Sequence, residues 1–390
     1  MRVTHVITRL IVGGAQENTI ASVLGLRRVP GLEVDLLSGP TTGPEGSLAS
    51  AFAEIPDALT LVPQLVRPVH PWQDFLALRQ LTRLFQSRRP ELVHTHSGKA
   101  GVLGRLAAAR AGLPIVLHTI HGPSFGAFQG CLANAIFRAA ELGAARVTTH
   151  FISVADAMTQ QYLAAGIGRP EQFTRIFSGF PLEPYLAAQN DLTLRARFGL
   201  LPDDIVIGKI ARLFALKGHD TLFAIAPALV AACPRIKFLL VGDGVWRGRF
   251  EQMARASGLQ RHFIFTGLVP PKEIPALIGI MDILVHLSER EGLPRALPQA
   301  LAAGRPVVAF DCDGAREVCC DGETGFLVRP GHLHGLTERL LLLARNAKLR
   351  AELAACGREF VRANFAVERM IANLHCLYLN LAAARGLAPT

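Results

Sequence analysis

Apolar and polar positions follow two rhythms along this chain. Short apolar runs at 3–8, 34–38, 59–62, 92–95, 115–118, 148–153 and 173–178 predict strands. Between them, residues 15–26, 72–87, 100–111, 129–143 and 155–165 repeat apolar positions at helical spacing. The rhythm breaks across 181–204. It restarts with apolar runs at 205–210, 237–241, 263–266, 283–286, 306–310 and 325–328, again separated by helical stretches. Beyond Leu333 the chain reads as helical almost to its end. Strands alternating with helices predict a parallel sheet covered on both faces. The doubled rhythm predicts an α/β protein of two Rossmann-like domains, residues 1–187 and 188–364, joined near residue 190. The helical tail, 365–390, is too apolar to stand alone and is expected to pack back toward the first domain. Ligands of such sheets sit outside the carboxyl ends of the strands. Two facing sheets then enclose one central cleft.

The chain has 390 residues, enough for two cores, and half of them are hydrophobic. No run reaches the roughly 18 apolar residues that would span a bilayer. Met1-Arg2-Val3-Thr4-His5-Val6-Ile7 lacks a signal-peptide layout and reads as a first strand, so the expected location is intracellular. The formal charge of +10 favours anionic partners such as nucleotides, diphosphates or acidic headgroups. Nucleic acid is disfavoured, because no recognised motif is present and only 7% of residues are aromatic. Arg79, Arg83, Arg88 and Arg89 cluster at helical spacing, as a solvated face or a membrane-surface contact would. The seven cysteines are odd in number and contain no CxxC pair, which fits buried thiols in a reducing compartment. Cys312, Cys319 and Cys320 have no histidine among them, so no metal site is expected there.

Candidate chemistry concentrates where strands end. Glu291-Gly292-Leu293-Pro294 places an acid and a glycine before a helical run that Pro294 is suited to start. Free amides of Gly292 and Leu293, backed by the helix dipole, suit an anionic or polyhydroxylated ligand. Glu291 would accept hydroxyl hydrogen bonds, and Gln299, two turns on, would reach another part of the same ligand. A solvated helix cap is the alternative. Arg212 and Lys217 flank a strand-to-helix crossover and would clamp a diphosphate, Arg by paired hydrogen bonds and Lys as a point charge. Two solvated surface cations fit that spacing equally well. Val241-Gly242-Asp243-Gly244 and Gly267-Leu268 mark further strand ends that suit a base and ribose, or are plain turns. Asp311-Cys312-Asp313 has the form of a metal-binding DxD, but a turn before Gly314 is the better reading.

In the first half, Gly13-Gly14-Ala15-Gln16 follows the first strand. The glycines allow close approach of backbone to a ligand, although the pattern is not GxGxxG. His94-Thr95-His96-Ser97-Gly98-Lys99-Ala100-Gly101 and His118-Thr119-Ile120-His121-Gly122-Pro123 bring histidines to two strand ends. Zinc is an alternative there, but no HExxH or matching carboxylate accompanies them. His121, before a Gly-Pro turn, is expected to be exposed, and His94 and His118 are expected to point into the body.

Taken in order, these motifs, together with Ala302-Ala303-Gly304-Arg305-Pro306-Val307, resemble the retaining glycosyltransferases of family 4, with the GT-B fold. The resemblance covers practically the whole chain. It implies an acceptor-side domain at 1–187 and a nucleotide-sugar-binding domain at 188–364. It implies transfer of a hexose or related sugar from a nucleoside-diphosphate sugar to an acceptor hydroxyl with retention, without cofactor or metal. Arg212 and Lys217 would hold the diphosphate, and Glu291 with the amides of Gly292 and Leu293 the donor sugar. Gly13, Gly14, Gly242, Leu268 and Gln299 would complete the donor site, Gln299 contacting the ribose. His121 would lie near the reaction centre, so the catalytic set is His121, Glu291, Arg212 and Lys217. His96 and Lys99 would serve the acceptor side. The His94–Gly101 stretch is similar to members that build cell-surface polysaccharides on lipid-linked acceptors, which implies work at the cytoplasmic face of the membrane.

One position departs from the family pattern. The family has a second glutamate where this chain has Gln299, which still hydrogen-bonds hydroxyls but carries no charge. Two alternatives stay open: a nucleotide-sugar 2-epimerase of the same fold, and a protein that binds nucleotide sugars without transferring them. The absent GxGxxG disfavours a dehydrogenase.

Overall fold

A computed structural model describes residues 1–41, 46–126 and 128–387. The chain forms two compact units, Met1–Phe180 with Val367–Thr390, and Pro181–Ala366. Each carries one parallel sheet.

The first sheet contains β1 (Arg2–Ile7), β2 (Glu33–Ser38), β3 (Leu59–Leu61), β4 (Leu92–His96), β5 (Ile115–Ile120), β6 (His150–Ser153) and β7 (Phe173–Arg175). Their order is β3-β2-β1-β4-β5-β6-β7. β4 and β5 are buried at every position, as central strands covered on both faces must be. Successive side chains point to opposite faces. Val3 and Ile7 of β1, Leu92 of β4 and Leu117 of β5 join one core with Met370, Leu374, Tyr378 and Ala382 of the terminal helix Val367–Ala383. Those four helix residues recur every fourth position and form its buried stripe. Val6, Val93 and Val116 face the other way, against Leu78, Leu81 and Phe85 of helix Pro71–Arg88. The terminal helix also lies close to helix Gly14–Leu26, where a Cβ on Gly25 would stand 2.0 Å from Ile371 Cδ1.

The second sheet contains β8 (Ile205–Ile210), β9 (Ile236–Val241), β10 (Phe263–Gly267), β11 (Ile283–His286), β12 (Val307–Phe310) and β13 (Gly325–Val328). Their order, β10-β9-β8-β11-β12-β13, is the dinucleotide-fold order 3-2-1-4-5-6. Ile207, Phe238, Ile283 and Val308 anchor its core. The stretch where the hydrophobic rhythm breaks holds two short helices, Glu183–Leu186 and Leu192–Arg197. Among the described residues no helix is long and apolar enough to cross a membrane.

Both sheets reverse strand order at one point, between β1 and β4 and between β8 and β11. Crevices at such points are where open α/β sheets bind ligands. Gly13, Gly14, His96 and Lys99 lie at the ends of the strands that flank the first point, and Arg212, Lys217 and Glu291 at the ends of those that flank the second.

Candidate functional site

In the second unit, β8 leads into the loop that carries Arg212 and Lys217. The loop closes with Leu216 and Gly218 in the left-handed region, φ 64° and 67°. A Cβ on Gly218 would sit 1.9 Å from the carbonyl oxygen of Leu287, so glycine is required where this loop passes β11. That approach brings Lys217 to the segment after β11. Its ammonium donates to Glu291 Oε1, with both side chains partly exposed.

Glu291 is held from behind. Its N–H donates to Asp313 Oδ2 at 2.8 Å, and Gly314 N–H donates to the carbonyl of Gly292 at 3.1 Å. Asp311 is occupied by Arg316 at 2.7 and 2.9 Å. The two acids of Asp311-Cys312-Asp313 thus fasten loops, as the turn reading expects. Burial works to raise the Glu291 pKa, but Lys217 and the other neighbours of the carboxylate together outweigh it, and the carboxyl ends below its ordinary value. The carboxylate is therefore ionised at neutral pH.

Beneath this pair lie buried polar groups that sequence reasoning missed. His286, the last residue of β11, has Nε2 3.9 Å from Glu291 Oε1. Lys209 on β8 and His219 at the start of helix His219–Ala232 are almost fully buried. Among the described residues, Lys209 Nζ, both His219 ring nitrogens and His286 Nε2 make no hydrogen bond. Burial lowers the Lys209 pKa to about 7 and those of His219 and His286 to about 3. The two imidazoles are neutral. One signal was readable: a lysine inside Ile205-Val206-Ile207-Gly208-Lys209-Ile210, where a buried strand should be apolar throughout.

Arg212 is exposed and makes no ion pair or hydrogen bond among the described residues. Gly242 adjoins it: a Cβ there would stand 2.3 Å from Ala211 O and 3.7 Å from Arg212 N. Gly242 N–H donates to Gly267 O at 3.2 Å, and the exposed Leu268 follows. Arg212, Gly242 and Leu268 therefore share one edge of the strand ends. The helix after Glu291 differs from expectation. It spans Ala296–Ala302 and begins two residues after Pro294, because Leu297 N–H is the first to reach back, to Pro294 O. Gly292 and Leu293 are buried in the loop ahead of it, not in its first turn. Gln299 sits within this helix and is 8% exposed.

In the first unit, Gly13 has extended backbone, φ 172°, and Gly14 opens helix Gly14–Leu26. The histidines of β4 and β5 divide by the pleat. His94 and His96 lie on the face covered by the terminal helix, and His118 on the other. His94 and His118 are buried, as their positions lead one to expect. His96 is also fully buried, which corrects its expected contact with an acceptor. Its Nδ1 lies 3.1 Å from Nε2 of the partly exposed His121, and its Nε2 lies 2.9 Å from His5 Nδ1. The Lys99 ammonium is taken by Asp74 and the carbonyl of Pro68, so it props the start of helix Pro71–Arg88 and does not reach out to an acceptor. His5 and Tyr378 were not singled out in the sequence. His5 was within reach, since it stands directly opposite His94 in the β1–β4 register.

Residues 13–176 match the family described as the glycosyl transferase 4-like domain, and residues 191–360 match glycosyl transferases group 1. One relative is the UDP-Gal:alpha-D-GlcNAc-diphosphoundecaprenol alpha-1,3-galactosyltransferase of Escherichia coli. It is 26% identical over 349 residues, covering 88% of this chain and 87% of the relative. Another is the capsular polysaccharide biosynthesis glycosyltransferase CapM of Staphylococcus aureus, 23% identical over 319 residues, covering 80% and 82%. Among solved structures, HepE of Anabaena in complex with UDP and glucose superposes with a TM-score of 0.83 at 21% identity, over 97% of this chain and all of that one. Neither the epimerase nor the binding-only alternative is favoured by these matches. With two Rossmann-like sheets, a helical C-terminus and both family domains in order, the chain belongs to the GT-B glycosyltransferases and joins a glycosyl transferase 4-like domain to a group 1 domain.

Proposed function

We propose that this glycosyltransferase binds a nucleoside-diphosphate sugar on the Pro181–Ala366 unit and transfers the sugar, with retention, to a hydroxyl of a lipid-linked or growing polysaccharide acceptor. The observation that carries this reading is the Lys217–Glu291 pair at the β8/β11 switch point, with the exposed Arg212 on the same loop as Lys217. Arg212 and Lys217 hold the diphosphate and stabilise the charge that gathers on it as the glycosidic bond breaks. Preorganised cations at a developing charge are usually the largest single contribution to such catalysis. Glu291, ionised, accepts hydrogen bonds from the donor sugar's hydroxyls. Its backbone anchor on Asp313 fixes the carboxylate before substrate arrives. Gly242 and Leu268 line the nucleotide side, Gln299 serves the ribose, and the Gly13-Gly14 loop and His121 serve the reaction centre. No cofactor or metal enters this scheme.

The relatives support the substrate class. The Escherichia coli enzyme's name specifies a UDP-sugar donor and a sugar carried on diphosphoundecaprenol, and the HepE structure holds UDP and glucose. A peripheral contact with the inner face of the membrane fits this acceptor class. It is supported by Trp72 and Phe75, 64% and 44% exposed, beside Arg79 and Arg83 on helix Pro71–Arg88. Arg88 takes no part, being paired with Asp35.

Calorimetry with nucleoside diphosphates and a panel of their sugars tests the donor site. Arg212→Ala should weaken nucleoside-diphosphate binding by about 1.5–3 kcal/mol, the scale of a hydrogen bond to a charged group. Unchanged affinity would remove Arg212 from the site.

A further inference from the structure

Five side chains from three strands and the terminal helix form a hydrogen-bonded chain that leads to His121. Thr119 Oγ1 lies 2.6 Å from His94 Nε2, and His94 Nδ1 lies 2.5 Å from the Tyr378 hydroxyl. That hydroxyl lies 3.3 Å from His5 Nε2. His5 Nδ1 lies 2.9 Å from His96 Nε2, and His96 Nδ1 lies 3.1 Å from His121 Nε2. The pleat explains the assembly. His5, His94, His96 and Thr119 all occupy the sheet face that helix Val367–Ala383 covers, and Tyr378 is the polar member of that helix's buried stripe.

We propose that this chain is a relay that sets the tautomer of His121, with Tyr378 of the terminal helix as its keystone and His5, His94 and His96 as positioning residues. A neutral imidazole has one N–H and one acceptor nitrogen, and a phenol donates once. Each interior member uses both of its sites, so every proton must point the same way along the chain. An imidazolium would set two donors face to face. Burial keeps the interior neutral, lowering His5 to about 3 and His94 and His96 well below their ordinary value.

Two senses satisfy the chain. With Tyr378 donating to His94 across the 2.5 Å contact, all protons run toward Thr119, and His121 Nε2–H donates to His96. With Thr119 donating to His94 across the 2.6 Å contact, all protons run toward His121, and His121 Nε2 accepts from His96 Nδ1–H. Either sense holds His121 as a single tautomer, because one reversed proton would set two donors or two acceptors face to face. The relay's effect on catalysis rests on the proposal that His121 serves the reaction centre; the tautomer itself does not.

The ring nitrogens of His5, His94 and His96 also lie within 4.8 Å of one another, a spacing that admits a metal ion. Hydrogen bonds already occupy those nitrogens, which favours the relay. Long-range proton–nitrogen spectra of the full chain with labelled histidine decide between them. At pH 7, and still at pH 5.5, His5, His94 and His96 should be neutral. These three and His121 should appear at pH 7 all as Nε2–H tautomers or all as Nδ1–H tautomers, with no mixture. Tyr378→Phe keeps the ring in the core and removes one hydroxyl. It should turn His121 into a mixture of tautomers and lower kcat roughly 10- to 100-fold, the range seen when a histidine's orienting partner is lost. Donor affinity should not change. Thr119→Val, at the far end of the chain, should shift His94 in the same way without emptying the core. A His121 tautomer unmoved by Tyr378→Phe, or one equivalent of zinc bound with loss of the imidazole N–H signals, overturns the relay. Single tautomers in the wild type with His121→Ala at full activity would keep the relay and overturn the role of His121.

Discussion

Lys209→Met removes the charge that the second unit can least accommodate. The amine is buried, makes no hydrogen bond among the described residues, and titrates at about 7 where an ordinary lysine titrates at 10.5. Burial is the main cause, the ammonium of Lys217 adds to it, and Glu291 works against it. A fall of that size corresponds to roughly 5 kcal/mol between the protonation states. The sign follows from proton linkage. Between about pH 7 and 10.5 the unfolded chain binds a proton that the folded chain does not, so the wild type gains stability as pH rises through this window. Below about pH 7 the lysine is charged in both states and the full penalty applies. Methionine keeps the unbranched stem and cannot ionise, so the variant should be more stable by several kcal/mol at pH 6. The gain should shrink toward pH 10. The chain has two tryptophans, Trp72 and Trp246, one in each unit. In a Trp72→Phe background, denaturant unfolding followed by Trp246 fluorescence reads the second unit alone. A variant less stable than wild type at pH 6, or a gain equal at pH 6 and pH 10, would refute the reasoning. Weaker nucleotide binding by the more stable variant would show that the unpartnered amine serves the donor site, a usual exchange of stability for function.

Glu291→Ala should depress transfer strongly and leave affinity for free nucleoside diphosphate nearly intact, because the carboxylate is assigned to the sugar; a parallel loss of both in calorimetry and a product assay would reassign it. Gln299→Ala should weaken donor and free nucleotide alike and Gln299→Glu should be tolerated, whereas a lowered melting temperature with unchanged kinetics would make Gln299 a packing residue. Transfer should survive exhaustive chelation, and loss of activity restored by one divalent metal would show a site outside this scheme. Glu141→Ala should cost about 3–5 kcal/mol in unfolding, since it strands the buried Arg105 guanidinium, now 2.5 Å from Glu141; a loss under 1 kcal/mol would mean that water or a neighbour replaces the carboxylate.

What the sequence made legible was whatever repeats or ends a repeat. Thirteen apolar runs predict thirteen strands, and the observed β1–β13 fall on them with ends displaced by a few residues. The pattern records burial, and burial is what a parallel sheet imposes on its strands. Lys217 and Glu291 were legible for a related reason: each follows a strand, and the strand ends of such sheets converge. The misplaced features obey other physics. The helix at Ala296 starts late because Gly292 and Leu293 are drawn into the loop that Asp313 and Gly314 fasten, and that partner lies some twenty residues away. Lys99 and His96 look like ligand residues in a string because they are polar and follow a strand. Only the fold supplies Asp74 for one and His5 for the other. Tyr378 carries no local sign at all. It sits in an apolar helical stripe, and its hydroxyl gains meaning from two histidines more than 280 positions away. The period-2 pattern does, however, contain the test that was passed over. His94 and His96 stand two apart on β4, so they share a face, and His5 is the residue of β1 in register with His94. Histidines placed together on one face of a buried sheet must be neutral and must bond to one another or to something brought by the covering layer. The covering layer here is the last helix, which is why its one buried phenol is the residue to change first.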